Sequence, residues 1–280
     1  MQATADATPA NRLTLGSVDC LRITGLARVQ ALADPQFVAA TDALRRVDMG
    51  QHPTLLRDGM GHWSRVWEYP YSYCGVLDFA SEMGLTNPTA LESGCGFTPV
   101  PFLLAAKGVR VVGVDLDPAL PDQWKGYSLP GAGNGGKAMF HNGDMEKLPF
   151  PDGAFDIGYS VSVLEHTNDP ERATAELCRV VRPGGLVLLT CDVEPQGIGI
   201  PYAKFEAMLK VLDAATTVRY PPRWCHPSEV LTFGTRPGGP EDARRSSYQR
   251  ARSLLRDAYY TASGKMATVM AIYGAARVRK

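Results

Sequence analysis

The feature that most restricts this chain is the run Thr89-Ala90-Leu91-Glu92-Ser93-Gly94-Cys95-Gly96, followed by a helix and then by Val112-Gly113-Val114-Asp115. Thr89 to Ser93 reads as a strand, Pro99 to Lys107 as a helix ended by Gly108, and Val109 to Asp115 as a second strand. Thr98 suits the N-cap of that helix and Pro99 its first turn. Strand, glycine turn, helix and strand make a βαβ unit, which commits the region to a parallel sheet. Gly94 and Gly96 let the backbone approach a ligand over the carboxyl edge, and an acid ending the second strand can accept bonds from both hydroxyls of a ribose. The unit therefore suits an adenosine-containing cofactor. Its turn reads E-x-G-x-G and lacks the G-x-G-x-x-G spacing that a pyrophosphate needs. A literal G-x-G-x-x-G does occur at Gly131, Gly133 and Gly136, but it follows no strand and opens no helix.

The alternation continues downstream. Ala138 to Asn142 reads as a third strand, Phe155 to Val161 as a fourth and Leu186 to Val193 as a fifth; Pro170 to Val181 and Tyr202 to Ala214 read as helices. Arg182-Pro183-Gly184-Gly185 reads as a break before the fifth strand. Beyond it lie a Pro/Trp-rich stretch at 221–227, a basic helix around Asp242 to Asp257, and a last strand, Ala267 to Val278, expected to close the sheet edge in antiparallel fashion. Before Asn87 the pattern is helical, as in Gln36 to Val47, and leads into the aromatic-dense stretch from His62 to Tyr73. The division expected is a helical N-terminal cap over 1–86 and a cofactor-binding domain over 87–280.

Five ordered motifs carry a resemblance: the glycine turn with Glu92; Val112 to Asp115; Asn142-Gly143-Asp144-Met145; Leu148-Pro149-Phe150 with Asp152-Gly153-Ala154-Phe155-Asp156; and Val163-Leu164-Glu165-His166 followed by Arg179 to Gly185. In these, Asn87 to Val193 resembles the core of the class I S-adenosylmethionine (SAM)-dependent methyltransferases, in particular the small-molecule group called type 11. The resemblance implies an α/β, Rossmann-like, mostly parallel sheet of seven strands with a late antiparallel strand. It also implies SAM as cofactor. Glu92, Gly94, Cys95 and Gly96 would form the turn under its methionine part, Asp115 and Leu116 would hold the ribose, and Asp144 and Met145 would face the adenine. Ser160 and Val161, ending the fourth strand, complete that set. One departure is plain: the family turn often has a third glycine two residues after Gly96, and here that place is Thr98.

For the acceptor side, His166 lies just past the fourth strand, where an imidazole can take a proton near neutral pH. Its neighbour Glu165 reads as a solvated or capping acid. Trp63, Trp67, Tyr69, Tyr71 and Tyr73 suit a lid around a sulfonium or a substrate ring, with Tyr71 as a second catalytic candidate; the plainer reading is that they anchor the cap to the core. Arg65 is placed to bind the methionine carboxylate or an acidic substrate. Trp224-Cys225-His226-Pro227 is a candidate far wall, and Arg244, Arg245, Arg250, Arg252 and Arg256 read as a solvated helix face.

The 29 basic and 29 acidic residues cancel, and no like-charge run marks a nucleic-acid or anionic membrane surface. Strand four ends Tyr159-Ser160-Val161-Ser162 without the N/D-P-P-Y pattern that grips a flipped base. The first residues lack a basic start and an apolar run, and the apolar stretches are strand-sized, so a cytosolic protein is expected. Six cysteines show no C-x-x-C pair or metal spacing and read as free thiols. Three functions fit: methyl transfer to O, N or C of a small molecule; intramolecular cyclisation of SAM with release of methylthioadenosine; or SAM binding without turnover.

Overall fold

The computed structural model describes residues 25–27, 29–47, 64–125, 127, 136–193, 200–217, 231 and 270–279. A two-residue strand β1 (Gly25–Leu26) and a 3-10 turn (Val29–Ala33) lead into helices α1 (Pro35–Arg45) and α2 (Arg65–Glu82). The sheet then begins in earnest with β2 (Thr89–Ser93), α3 (Pro99–Ala106), β3 (Arg110–Asp115), α4 (Leu120–Lys125) and β4 (Lys137–Asn142). After these come β5 (Phe155–Val161), a second 3-10 turn (Leu164–His166), α5 (Pro170–Val180), β6 (Val181–Val193), α6 (Tyr202–Ala215) and β7 (Met270–Arg277).

The strands lie in the order β1-β7-β6-β5-β2-β3-β4. β2 pairs in parallel with both β3 and β5, β3 with β4, and β5 with β6. β7 runs antiparallel to β6 and to β1. The chain thus builds outward from β2 through β3 to β4, then crosses back to β5 on the other side. That reversal leaves a crevice outside the carboxyl ends of β2 and β5, where open α/β sheets bind ligands.

Alternation along the strands sends side chains to two layers. On one face Ala90, Val111, Ile157, Tyr159, Leu186 and Leu188 pack against Phe37 and Leu44 of α1 and Trp67, Tyr71 and Phe79 of α2. On the other, Leu91, Val187 and Leu189 pack against Leu177 of α5 and Met208 and Leu212 of α6. Trp67 is fully buried and stacks on Tyr71 with ring centroids 4.6 Å apart. The aromatics of α2 are therefore part of the sheet's own core, and the described part of the expected N-terminal cap is continuous with the helical layer of the sheet.

The remaining motifs hold loops in place. Arg179 donates to the carbonyls of Leu148 and Phe150 and to Asp152 and Glu176. Asp156 accepts from Thr89 N and Oγ1 and from Arg182 Nε, tying β5 to its neighbours on both sides. Two local expectations differ from what is seen. Arg182 to Gly185 is an irregular part of β6 rather than a break before it: Phe155 pairs with Val181 and Ile157 with Leu186, so the four residues bulge between. Gly184 takes a φ of +76°, and at Gly185 a Cβ would lie 2.5 Å from the Asp156 carbonyl oxygen, so glycine is needed at both. Thr98 occupies the N-cap of α3 in extended conformation, yet its hydroxyl makes no capping bond.

Trp63, the Gly131–Gly135 part of the glycine run, residues 221–227, the basic segment 242–257, Cys20 and Cys225 lie outside the described residues. Cys74, Cys95, Cys178 and Cys191 are free and buried. No helix among the described residues is long and apolar enough to cross a membrane.

Because α2 and the sheet share one core, Trp67→Ala is expected to cost about 3–5 kcal/mol of stability. Chemical denaturation followed by both far-UV circular dichroism and tryptophan fluorescence checks this: both probes are expected to report one shared transition at lower denaturant. A separate early transition of the N-terminal helices would contradict the shared core.

Candidate functional site

Two groups of polar side chains meet at the carboxyl edge. The first surrounds Asp115. The Gly94 and Cys95 amides both donate to the Val114 carbonyl, at 2.8 and 3.0 Å, which folds the glycine turn across the end of β3. Asp115 Oδ2 then accepts from Gly96 N at 2.9 Å and Oδ1 from Asp117 N at 3.0 Å. Its backbone carbonyl accepts from Asn142 Nδ2 and Gly143 N. The carboxylate is thus fixed in orientation with lone pairs to spare on both oxygens.

The turn itself depends on two left-handed glycines, Gly94 at φ +72° and Gly96 at φ +51°. A Cβ on Gly94 would come within 2.5 Å of Val163 Cγ1, whereas a Cβ on Gly96 would meet nothing within 4 Å. Gly94 is a packing contact with the loop after β5, and Gly96 faces open space. Trp124 Nε1 donates to the Gly96 carbonyl and steadies the far side of the turn.

Of the remaining cofactor candidates, Glu92 is buried and accepts from Tyr159 Oη at 3.1 Å. Burial pushes its carboxyl well above the usual range, against the pull of Tyr159. The Cys95 side chain packs with Phe97, Phe102, Leu120 and Trp124, so only its backbone borders the turn. Leu116 is 64% exposed beside Asp115. Asp144 accepts from Glu146 N in a tight turn, and Met145 is buried in the layer beneath. Ser93, Thr98 and Ser160 have buried hydroxyls without a hydrogen-bond partner, and Val161 is buried next to Ser160.

The second group lies under the first turn of α2. Glu68 is fully buried; Arg65 Nη1 bonds it from one turn earlier and Ser162 Oγ donates to it at 2.6 Å. Ser162 takes φ +45°, the one positive value among described non-glycine residues, and so pays backbone strain to reach that position. Burial alone would raise Glu68, but Arg65 and the Ser162 hydroxyl outweigh it and hold the carboxyl below its ordinary range. Arg65 is thus engaged by Glu68, with Tyr69 beneath its guanidinium at 5.9 Å from the ring centroid.

Glu165 and Asp192 border the same ion pair. Burial, and then repulsion from Glu68, push Glu165 up to about 7. Burial, then Glu68 and Glu165, push Asp192 up to about 8. Glu165 Oε2 and Asp192 Oδ1 are buried without a hydrogen-bond partner. Glu165, expected as a solvated or capping acid, is instead part of this cluster. His166 next to it is exposed, its backbone N donating to the Val163 carbonyl, and Tyr71 is buried against Trp67. Sequence reading missed Glu68, Ser162 and Asp192. They stand far apart along the chain with no shared motif, and a buried glutamate inside an aromatic helix was the only available hint. Among the described residues no group of three or more His, Cys, Asp or Glu has a metal-binding arrangement.

The same stretch of chain is similar to known proteins. Residues 91–189 match a family model described as "Methyltransferase domain". Malonyl-[acyl-carrier protein] O-methyltransferase of Serratia marcescens is 35% identical over 112 residues, 39% of this chain and 40% of the relative. Tocopherol O-methyltransferase of Arabidopsis thaliana is 28% identical over 171 residues, 60% of this chain and 48% of the relative. The matched stretch thus spans less than half the length of either. The crystal structure of a SAM-dependent methyltransferase from Methanosarcina mazei is 30% identical with a TM-score of 0.35, covering 38% of this chain and 52% of that one.

Raised carboxyls bind their protons more tightly folded than unfolded. Their contribution to stability is full below the ordinary carboxylate range and is lost as pH rises through about 7 for Glu165 and about 8 for Asp192. The Tm is accordingly expected to fall between about pH 4 and about pH 8, and to fall less in a Glu165→Gln/Asp192→Asn variant. Differential scanning calorimetry across that range checks it; parallel curves for the two proteins would show that the pair is not buried together.

Proposed function

We propose that this chain, which carries a class I SAM-dependent methyltransferase domain over residues 91–189, moves a methyl group from SAM to an oxygen, nitrogen or carbon of a small molecule. The observation that carries the reading is the fixed Asp115 carboxylate beside the open turn at Gly96, at the point where the sheet reverses direction.

The residues suit the cofactor. Asp115 offers spare lone pairs on both oxygens to two ribose hydroxyls, and exposed Leu116 beside it is an apolar wall for a base. The open space at Gly96 admits the methionine part, with Gly94 and Cys95 giving backbone and Glu92 a buried acid at the turn. The unpartnered hydroxyl of Thr98 stands where the family often has glycine and is a polar partner for the same part. Ser160, Val161, Asp144 and Met145 complete the set. Bound SAM supplies an activated methyl group on a sulfonium. The chain's own residues then have three tasks: orient the acceptor in line, exclude water and receive a proton when the nucleophile arrives protonated. His166, exposed just past β5, is the candidate for the acceptor side by position, whereas Tyr71 is packed into the core against Trp67 and Arg65 is engaged by Glu68.

Isothermal titration calorimetry with SAM tests the first half of this reading. Asp115→Ala is expected to weaken SAM by about 10-fold to 100-fold, from the loss of two charge-assisted bonds. Mass spectrometry of reactions with and without acceptors tests the second half. S-adenosylhomocysteine is expected only when an acceptor is present. Methylthioadenosine accumulating from SAM alone, and abolished in Asp115→Ala, would make SAM itself the substrate and overturn methyl transfer.

A further inference from the structure

We propose that Glu165, Asp192 and Thr190 form the acceptor subsite and that it takes a primary amine, bound as its ammonium. This rests on the methyl-transfer reading above and names the substrate class for it.

The argument begins with what the cluster lacks. Three carboxylates, Glu68, Glu165 and Asp192, face one guanidinium, Arg65, and that guanidinium is already spent on Glu68. Other polar groups border the same acids: Tyr69 from α2 and Ser162 from the loop after β5, with Cys191 of β6 packed on the opposite face of the strand. None of them brings a positive charge. Among the described residues the cluster holds more acids than cations.

A second observation does not depend on the acids. Thr190 is fully buried on β6, two residues before Asp192 and so on the same face of the strand, and its hydroxyl oxygen has no partner. Ser162 N donates to its backbone carbonyl at 3.0 Å, which brings Thr190 against the loop that carries Glu165. Glu165 Oε2, Asp192 Oδ1 and Thr190 Oγ1 are thus three acceptors without donors. A primary ammonium has three N–H donors and no acceptor, and it answers all three. A hydroxyl brings one donor and a carboxylate none.

The subsite also joins the cofactor cradle. Val163, between Ser162 and Leu164, is the residue on which Gly94 of the turn packs. Tyr69, whose ring lies under the Arg65 guanidinium, is near enough to Glu92 to feel its charge. Arg65, Glu165 and Asp192 are each partly exposed, while Thr190 beneath them is fully buried.

The same acids supply what the chemistry needs. An ammonium nitrogen has no lone pair to attack with. It gives one proton to the carboxylate pair, and the freed lone pair forms the new C–N bond as the methyl C–S bond breaks. The electron pair of that bond passes to sulfur, and the positive charge moves from sulfur to nitrogen. Burial and repulsion from Glu68, which push Glu165 up to about 7 and Asp192 up to about 8, bring the pair into the range where it takes up a proton at neutral to mildly alkaline pH.

The test uses the full chain loaded with SAM and two matched probes, phenethylamine and 2-phenylethanol, with tyrosine-free aliphatic pairs such as hexylamine and hexanol beside them. The amines are expected to raise the Tm and to become methylated, with affinity rising through about pH 7–8, while the alcohols do neither. Glu165→Gln and Asp192→Asn are each expected to raise the amine KM by about 10-fold or more and to remove the pH dependence, while SAM affinity by calorimetry changes less than about 2-fold. Thr190→Val keeps shape and removes one acceptor, and is expected to raise KM for primary amines more than for tertiary ones. Amines that neither bind nor react, alcohols that serve equally well, or acid variants with unchanged KM would each overturn the subsite. Failure of wild type to bind SAM would instead overturn the methyl-transfer reading, and the two failures are read from separate titrations.

Discussion

The glycine turn, two strand ends and the loop after β4 all converge on one residue, Asp115. Asp115 accepts from the Gly96 amide on one oxygen and the Asp117 amide on the other, and its carbonyl accepts from Asn142 and Gly143. A parallel sheet leaves its carboxyl ends as loose loops, each with amides that need partners. By collecting amides from three of those loops, Asp115 turns the edge into a shaped surface. The residues around it follow from that: Gly94 must be left-handed to bring Gly96 into range, and Val163 fills the space that Gly94 leaves.

The glycine turn and the strand end at Asp115 were legible in the sequence because their determinants are local. Strand, turn, helix and strand lie within Thr89 to Asp115, and each residue type there answers a backbone requirement that spacing reveals. The strand and helix limits followed for the same reason, and so did the free buried cysteines. Arg179 and Asp156 explain why the downstream motifs are so ordered: they hold loops to strands. The four residues Arg182 to Gly185 misled because a Pro-Gly-Gly run signals a turn equally well whether the chain leaves the sheet or bulges within it.

The acidic cluster was not legible. Glu68, Ser162, Glu165 and Asp192 come from a helix, a loop and the end of a distant strand, and only the sheet's order brings them together. Sequence reading placed Glu165 with solvated acids because an isolated glutamate near a helix start usually is one. What changes its behaviour is Glu68, almost a hundred positions earlier, buried by aromatics that themselves looked like a lid.

Those aromatics alternate with the cluster on a single helix. Trp67 and Tyr71 belong to the core, while Arg65 and Glu68 belong to the acidic group, so one turn of α2 serves both. A mutation that reshapes this wall of the site also disturbs the packing that holds the helix to the sheet, and loses stability at the same step. The wall formed by β6 and the loop after β5 carries no such double burden at Glu165 and Asp192. A substitution on that side changes the charge of the crevice while leaving Trp67 and Tyr71 packed, so the two walls differ in how much of the core rides on each side chain.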